Sequence, residues 1–124
     1  MTETFTDWNL ETPRQLSSGV AVSAVTGANL QVVRTQLPGG ARPYPMHSHP
    51  HEQFVVVLEG SVEFTVDGAG TQTLGPGGVF YFAPDQGHSV RVLTDDPVVM
   101  LEIYTPVRID YADPSSNPDP ANPR

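Results

Sequence analysis

The chain has no cysteine and no lysine among its 124 residues. The first absence removes disulfides, thiolate nucleophiles and cysteine-bound zinc, and it says nothing of the redox compartment. The second removes Schiff-base catalysis on a lysine side chain. Positive charge is scarce altogether: 6 arginines stand against 14 acidic residues, for a net charge of −8. Phosphate backbones need clustered Lys or Arg, so no nucleic-acid partner is expected. No apolar run exceeds five residues, as in Phe54–Leu58. A membrane-crossing helix needs roughly 20, so no membrane partner is expected either. The N-terminus lacks the basic and apolar regions of a signal peptide, and a cytoplasmic protein is the expectation. Helical periodicity is missing throughout.

What is present is a series of short β-prone runs, in a chain long enough for one domain with its own core. Gly19–Thr26 and Ala28–Gln36 read as strands parted by Gly27, and Pro38-Gly-Gly-Ala-Arg-Pro reads as a loop. In Ser61–Val66 the residues Val62, Phe64 and Val66 fall on one side, and Asp67-Gly68 is a hairpin signal. Thr71–Leu74, Val79–Phe82, Ser89–Leu93 and Val98–Tyr104 bring the expected total to about eight or nine strands, the pattern of an all-β sandwich or barrel. Residues 1–18 are polar apart from Phe5, Trp8 and Leu10 and form an expected N-terminal extension. The domain proper is expected over 19–111. The segment 112–124 carries four prolines and no large apolar residue, which predicts a flexible tail. Both faces of Phe54–Leu58 and of Val98–Tyr104 are apolar. A strand covered on both sides in so small a domain predicts a second subunit on the outer sheet, hence a homodimer.

The chemistry concentrates in Pro45–Gly60, P-M-H-S-H-P-H-E-Q-F-V-V-V-L-E-G. His47 and His49 are two apart, so an extended strand would send both imidazoles from one face. Pro50 ends that run and Gln53 opens the next; if the two runs fold back antiparallel, Gln53 lies beside the pair. His88 shares parity with Val90 and Val92, which points it inward. His47, His49, Gln53 and His88 together predict a divalent metal site, open to Zn, Ni, Mn or Fe. His51 has the parity of His49 but follows Pro50, so it is expected in the turn, supporting the ligands or meeting substrate. Gln53 is neutral: with a divalent cation the set keeps a +2 charge, which polarises bound oxygen more strongly than a carboxylate-containing set. Glu102 interrupts an apolar strand, where burial would raise its pKa toward that of a general acid or base. Arg108 shares its parity and could bind a carboxylate through its planar fork. The pattern alone equally allows an outward Glu on an edge strand and a surface Arg.

The spacing H-x-H-x3-Q-x6-G, followed by G-x5-A-P-D-Q-G-H, resembles the two motifs of the cupin superfamily over most of residues 20 to 111. The resemblance implies a double-stranded β-helix, a jelly-roll-like β-barrel, commonly dimeric. Gln53 stands where many cupins carry Glu. Ala83 and Asp85 stand where the second motif usually has Pro and Gly, with Pro84 keeping a turn former between them. H-S-H-P-H-E-Q and E-I-Y-T-P-V-R-I-D-Y together are similar to the KdgF group of cupins, which open 4,5-unsaturated monouronates into linear ketonised sugar acids. That resemblance implies His47, His49, Gln53 and His88 as metal ligands and Arg108 as the grip on the uronate carboxylate. Glu102 and Tyr104 stand where the group has an Asp and a Phe that assist catalysis. The expectation is a metal-dependent enzyme combining Lewis-acid with general acid/base action on a carboxylated, oxygen-rich small molecule. The rival readings are a cupin dioxygenase, a cyclase or isomerase of natural-product biosynthesis, and a non-catalytic sugar-binding cupin.

Overall fold

The computed structural model describes residues 5–113 together with 115, 116 and 118. Most of the expected tail therefore lies outside the described residues. Ten strands form among the described residues: β1 (Arg14–Gln15), β2 (Ala21–Thr26), β3 (Gln31–Leu37), β4 (Pro43–His47), β5 (Glu52–Glu59), β6 (Val62–Val66), β7 (Gly70–Leu74), β8 (Val79–Phe82), β9 (His88–Val92) and β10 (Val98–Thr105). They build two antiparallel sheets, one ordered β1-β2-β3-β10-β5-β8 and the other β4-β9-β6-β7. This is the jelly-roll arrangement expected of the sequence. Among the described residues, helix is confined to a single 3-10 turn at Trp8–Leu10 and a four-residue helix α1 (Ile109–Ala112). No helix among the described residues is long and apolar enough to cross a membrane.

Two of these strands carry no readable period. β1 is two residues long and pairs with β2 through Arg14 and Gln15, ahead of the expected domain start at residue 19. β4 contains Pro43 and Pro45, residues that cannot donate to a ladder. It lies at an edge of its sheet, where proline is tolerated. Alternation is plain elsewhere: β3 buries every second residue from Gln31 to Leu37, and β9 buries His88, Val90 and Val92, the latter as expected.

One expectation is overturned. The runs around His47 and Gln53 do not fold back on each other as an antiparallel pair. β4 pairs with β9 in the smaller sheet, while β5 pairs with β10 and β8 in the larger. Pro50 interrupts the chain between them, and the segment 48–51 crosses from one sheet to the other. His49 also lies beyond the end of β4, so its alignment with His47 comes from this crossing and not from strand parity.

The core between the sheets holds Val33, Val55, Val57, Val62, Val92 and Val98, each with no exposed surface, with Phe64, Phe80 and Phe82. Full burial of each such valine is worth roughly 1.5–3 kcal/mol. That apolar body lets one end of the sandwich be polar. At that end the ladders bring Gln31, Tyr104, Gln53 and Phe82 into one row of the larger sheet. His47, His88 and Val66 form the facing row of the smaller sheet.

Candidate active site

Three imidazoles meet at the polar end. His47 arrives on β4 and His88 on β9, directly opposite each other in the ladder; His49 arrives on the crossing segment. Their ring centroids are 4.5 Å (His47–His88), 5.1 Å (His49–His88) and 5.8 Å (His47–His49) apart. One nitrogen from each lies within 4.8 Å of the others, the one such group of potential ligands among the described residues. His88 is held flat against Phe82, with centroids 4.1 Å apart and planes at 5°.

Backbone carbonyls orient all three rings. Nδ1 of His47 faces Pro45 O at 3.3 Å, Nδ1 of His49 faces His51 O at 3.1 Å, and Nδ1 of His88 faces Gln86 O at 3.0 Å. A carbonyl only accepts, so each pairing assigns the proton to Nδ1 and leaves Nε2 with its lone pair. This is how a metal-binding histidine is prepared by its neighbours. Burial lowers the pKa of each: His47 falls below 6.5, His49 to about 4 and His88 to about 3, with the charge of Arg108 acting in the same direction.

Gln53, from β5, completes the cluster. Its Oε1 lies 2.9 Å from His49 Nε2. Its Nε2 donates to Glu102 Oε1 at 3.1 Å, which fixes the amide with oxygen toward the histidine. With His49 carrying its proton on Nδ1, two lone-pair atoms face each other across 2.9 Å with no hydrogen between them. A cation held by these two residues would remove that conflict. The donor set of three neutral imidazole nitrogens and one amide oxygen therefore fits a divalent ion.

Glu102, from β10, is part-buried and accepts from three donors. Gln53 Nε2 and Tyr104 Oη reach its Oε1, the latter at 3.2 Å, and Thr35 Oγ1 reaches its Oε2. Desolvation raises its pKa, and these hydrogen bonds and the Arg108 charge partly oppose the rise. Its inward parity resolves the alternative of an outward glutamate. Tyr104 is buried, and burial, followed by the Glu102 charge, holds its pKa well above 10. Arg108 is likewise buried and not a surface residue. Its NH1 donates to Tyr104 Oη at 3.4 Å, and its guanidinium lies 5.1 Å from the Tyr104 ring and 4.6 Å from the Tyr111 ring.

His51 stands outside the ligand group. Its ring is 5.3 Å from His49 and 6.2 Å from Tyr104, and its Nδ1 is buried without a hydrogen-bond partner. Sequence reasoning missed Thr35, Gln31, Asp110 and Tyr111. Thr35 and Gln31 were detectable: both are polar at the inward parity of β3, beside Val33 and Leu37. Gln31 exchanges two hydrogen bonds with the Arg108 backbone, at 3.1 and 3.2 Å, and so fixes where that residue enters the site. Asp110 and Tyr111 lie on a helix too short to leave any pattern.

Two facing antiparallel sheets with an imidazole cluster at one end define a class, the jelly-roll domains that carry a histidine site in their mouth. The family model of the cupin domain matches residues 33–104, and the chain belongs to that family. Among solved structures it is similar to KdgF from Halomonas sp., with a TM-score of 0.78 and 21% identity, covering 86% of this chain and 98% of that one. It is similar too to an RmlC-like cupin from Shewanella frigidimarina, with a TM-score of 0.79 and 21% identity, covering 89% and 96%. Both show the shared fold. The dimethylsulfoniopropionate lyase DddQ of Ruegeria pomeroyi is 33% identical over 61 residues, 49% of this chain and 30% of that protein. The match thus spans less than a third of that lyase.

Proposed function

We propose that the protein is a metal-dependent enzyme acting on a small carboxylated, oxygen-rich molecule, in its most specific form opening and ketonising 4,5-unsaturated uronates. The observation that carries this reading is the placement of Glu102. An acid of raised pKa sits one hydrogen bond from Gln53, which itself touches the histidine cluster. Such a pairing of a ligand cluster with a tuned acid is what proton movement at a polarised oxygen needs.

In this reading His47, His49, His88 and Gln53 hold a divalent ion, which polarises hydroxyl or ring oxygens of the substrate. Ring opening with ketonisation is an isomerisation. The bond between C1 and the ring oxygen breaks, the C1 hydroxyl gives up a proton, and a proton ends on C4 as the enol becomes a ketone. Glu102 can take the first proton and return one, because burial raises its pKa above the ordinary carboxylate value and Thr35, Tyr104 and Gln53 hold its carboxyl still. Tyr104, with its phenol kept protonated, serves as a donor and wall. Arg108 meets the substrate carboxylate. The active protein is a homodimer in the cytoplasm, joined through the outer face of the larger sheet. The match to a lyase acting on dimethylsulfoniopropionate supports a second form of the same chemistry, elimination on a small carboxylate with Glu102 as the base.

The deciding experiment is metal analysis of purified protein followed by NMR of an unsaturated monouronate and, separately, dimethylsulfoniopropionate. Conversion of the uronate to its open-chain keto acid, dependent on a divalent ion and independent of oxygen, is the expected result. Turnover that consumes oxygen instead would make this a dioxygenase. Binding without turnover of either compound would make it a ligand-binding cupin.

A further inference from the structure

Arg108 does not present an open fork to the site. Its Nε donates to Asp110 Oδ1 at 3.2 Å and its NH2 to Asp110 Oδ2 at 2.7 Å. This is the two-point contact by which a guanidinium takes up a free carboxylate. We propose that Asp110 is a built-in occupant of the carboxylate position, and that it sets the threshold a carboxylated ligand must exceed to bind. The inference rests on the reading of Arg108 as the carboxylate grip.

The surroundings of the pair support an exchangeable occupant. Arg108 is the one buried arginine among the described residues, at 6% exposure. Its remaining nitrogen, NH1, faces Tyr104 and through it Glu102, so it looks into the site. Tyr104 and Tyr111 hold the guanidinium plane in place by cation–π contact whichever carboxylate sits at its edge. Asp110 comes from the short helix α1, whose Ile109 is 75% exposed, and its own carboxyl side chain keeps 13% of its surface open to solvent. Arg14 anchors that helix by its backbone, reaching the carbonyls of Asp110 at 3.5 Å, Asp113 at 3.3 Å, and Ser116. Rotation of the Asp110 side chain leaves those backbone anchors intact and gives up the bond that Tyr111 N–H donates to Oδ1 at 3.2 Å.

A tethered group competes at an effective concentration of about millimolar or more. Simple carboxylates then fail against Asp110. A ligand succeeds when it brings a second anchor, such as hydroxyl oxygens at the histidine cluster. Asp110 thereby selects for molecules carrying both features. A purely structural ion pair behaves differently: loss of one partner leaves a buried charge and weakens the protein, with no gain for a ligand.

The test is calorimetric titration of the metal-loaded full chain with D-galacturonate, a uronate without the double bond, and with uncharged D-galactose. Asp110→Asn is expected to bind galacturonate about tenfold tighter than the wild type, the factor lost when a fork is open only a tenth of the time. Galactose binding stays unchanged. Equal or weaker galacturonate binding by the variant overturns the proposal, as does an equal gain for galactose, or absence of galacturonate binding by both proteins. Should Asp110→Asn not fold, the wild type decides alone. Galacturonate is expected to shift the NMR signals of Arg108 Nε and of the Asp110 carboxyl together, and a still signal at saturation overturns the proposal. Because galacturonate binding is read without turnover, failure of the wild type to convert an unsaturated uronate removes the proposed activity and leaves this comparison standing.

Discussion

The Gln53 amide donates to Glu102 Oε1 at 3.1 Å, and that one bond decides which end of the amide faces His49. In the proposed activity Glu102 would have two separable duties, moving a proton and orienting Gln53. Glu102→Gln keeps an acceptor oxygen for Gln53 and Tyr104, while Thr35 can turn its hydroxyl to accept from the new amide. Metal content is expected to stay at the wild-type value while turnover falls by about 10²–10⁴-fold, the usual worth of a positioned acid or base. Glu102→Ala frees the Gln53 amide to rotate, and divalent-ion affinity is expected to drop by about 10–100-fold, as when other supports of a metal ligand are removed. Metal titration beside a turnover assay separates the two. Full activity in Glu102→Gln would take the glutamate out of the mechanism, and unchanged metal affinity in Glu102→Ala would take it out of ligand positioning.

The lowered histidine pKa values give the metal-free protein a pH dependence of definite sign. His49 titrates at about 4 and His88 at about 3 in the folded chain, against 6.5 when unfolded. Below pH 6.5 the unfolded chain therefore takes up protons that the folded one refuses, and stability falls as pH drops from 6.5 toward 4. Above 6.5 these groups contribute nothing. Glu102 acts oppositely, since its raised pKa lets the folded state keep a proton the unfolded state has lost, and it restores some stability at acid pH. Urea midpoints of chelated protein at pH 7 and pH 5 are expected to show the decline, and His88→Gln to shrink it. An equal decline in that variant would show that His88 is not the source.

How much of this was legible in the sequence follows from how each feature is encoded. Period-2 alternation exposed β6 and β9, because one face of each meets the core, whereas β5 and β10 were legible as β-prone runs apolar on both faces. The convergence of His47, His49, Gln53 and His88 was expected, yet the route was not. A fold-back hairpin and a crossing between sheets put the same residues side by side, and only pairing partners distinguish them. The occupancy of the Arg108 fork was invisible because Asp110 is two residues away on a helix of four. A pair so local has no spacing that differs from chance.

Gly60 ties the ligand-bearing strand to the far end of the core. Its φ is +81°, and a Cβ there would lie 2.7 Å from Val98 Cγ2 and 3.1 Å from Thr94 Oγ1. Val98 is fully buried and cannot withdraw. Gly60→Ala combines a left-handed backbone with overpacking and is expected to cost more than about 2 kcal/mol, read as a lower urea midpoint. Gly68, also at positive φ but with open space around its Cβ position, serves as the comparison: Gly68→Ala is expected to cost about 1–2 kcal/mol, from the backbone alone. Equal losses at both positions would refute the packing argument.

The outer face of the larger sheet tests the homodimer. Along β5 the inward Val55 and Val57 have no exposed surface, while the outward Phe54 and Leu58 are 44% and 42% exposed. The neighbouring strand β8 adds Val79 and Tyr81, paired with Val56 and Phe54, and the Phe54 and Tyr81 rings lie 5.1 Å apart. An apolar surface continued across adjacent strands is what a stable interface of about 800 Å² per partner requires. Light scattering is expected to give twice the 13.4 kDa chain mass for the wild type, and the single-chain mass for Phe54→Glu. The new carboxylate points to solvent in the separated chain, so metal content is expected to be unaffected there. Because the histidine cluster faces the opposite side of this strand, loss of the dimer with metal retained would show that the site is complete within one chain. A wild type of single-chain mass at tens of micromolar would instead leave this apolar face without a partner of its own kind.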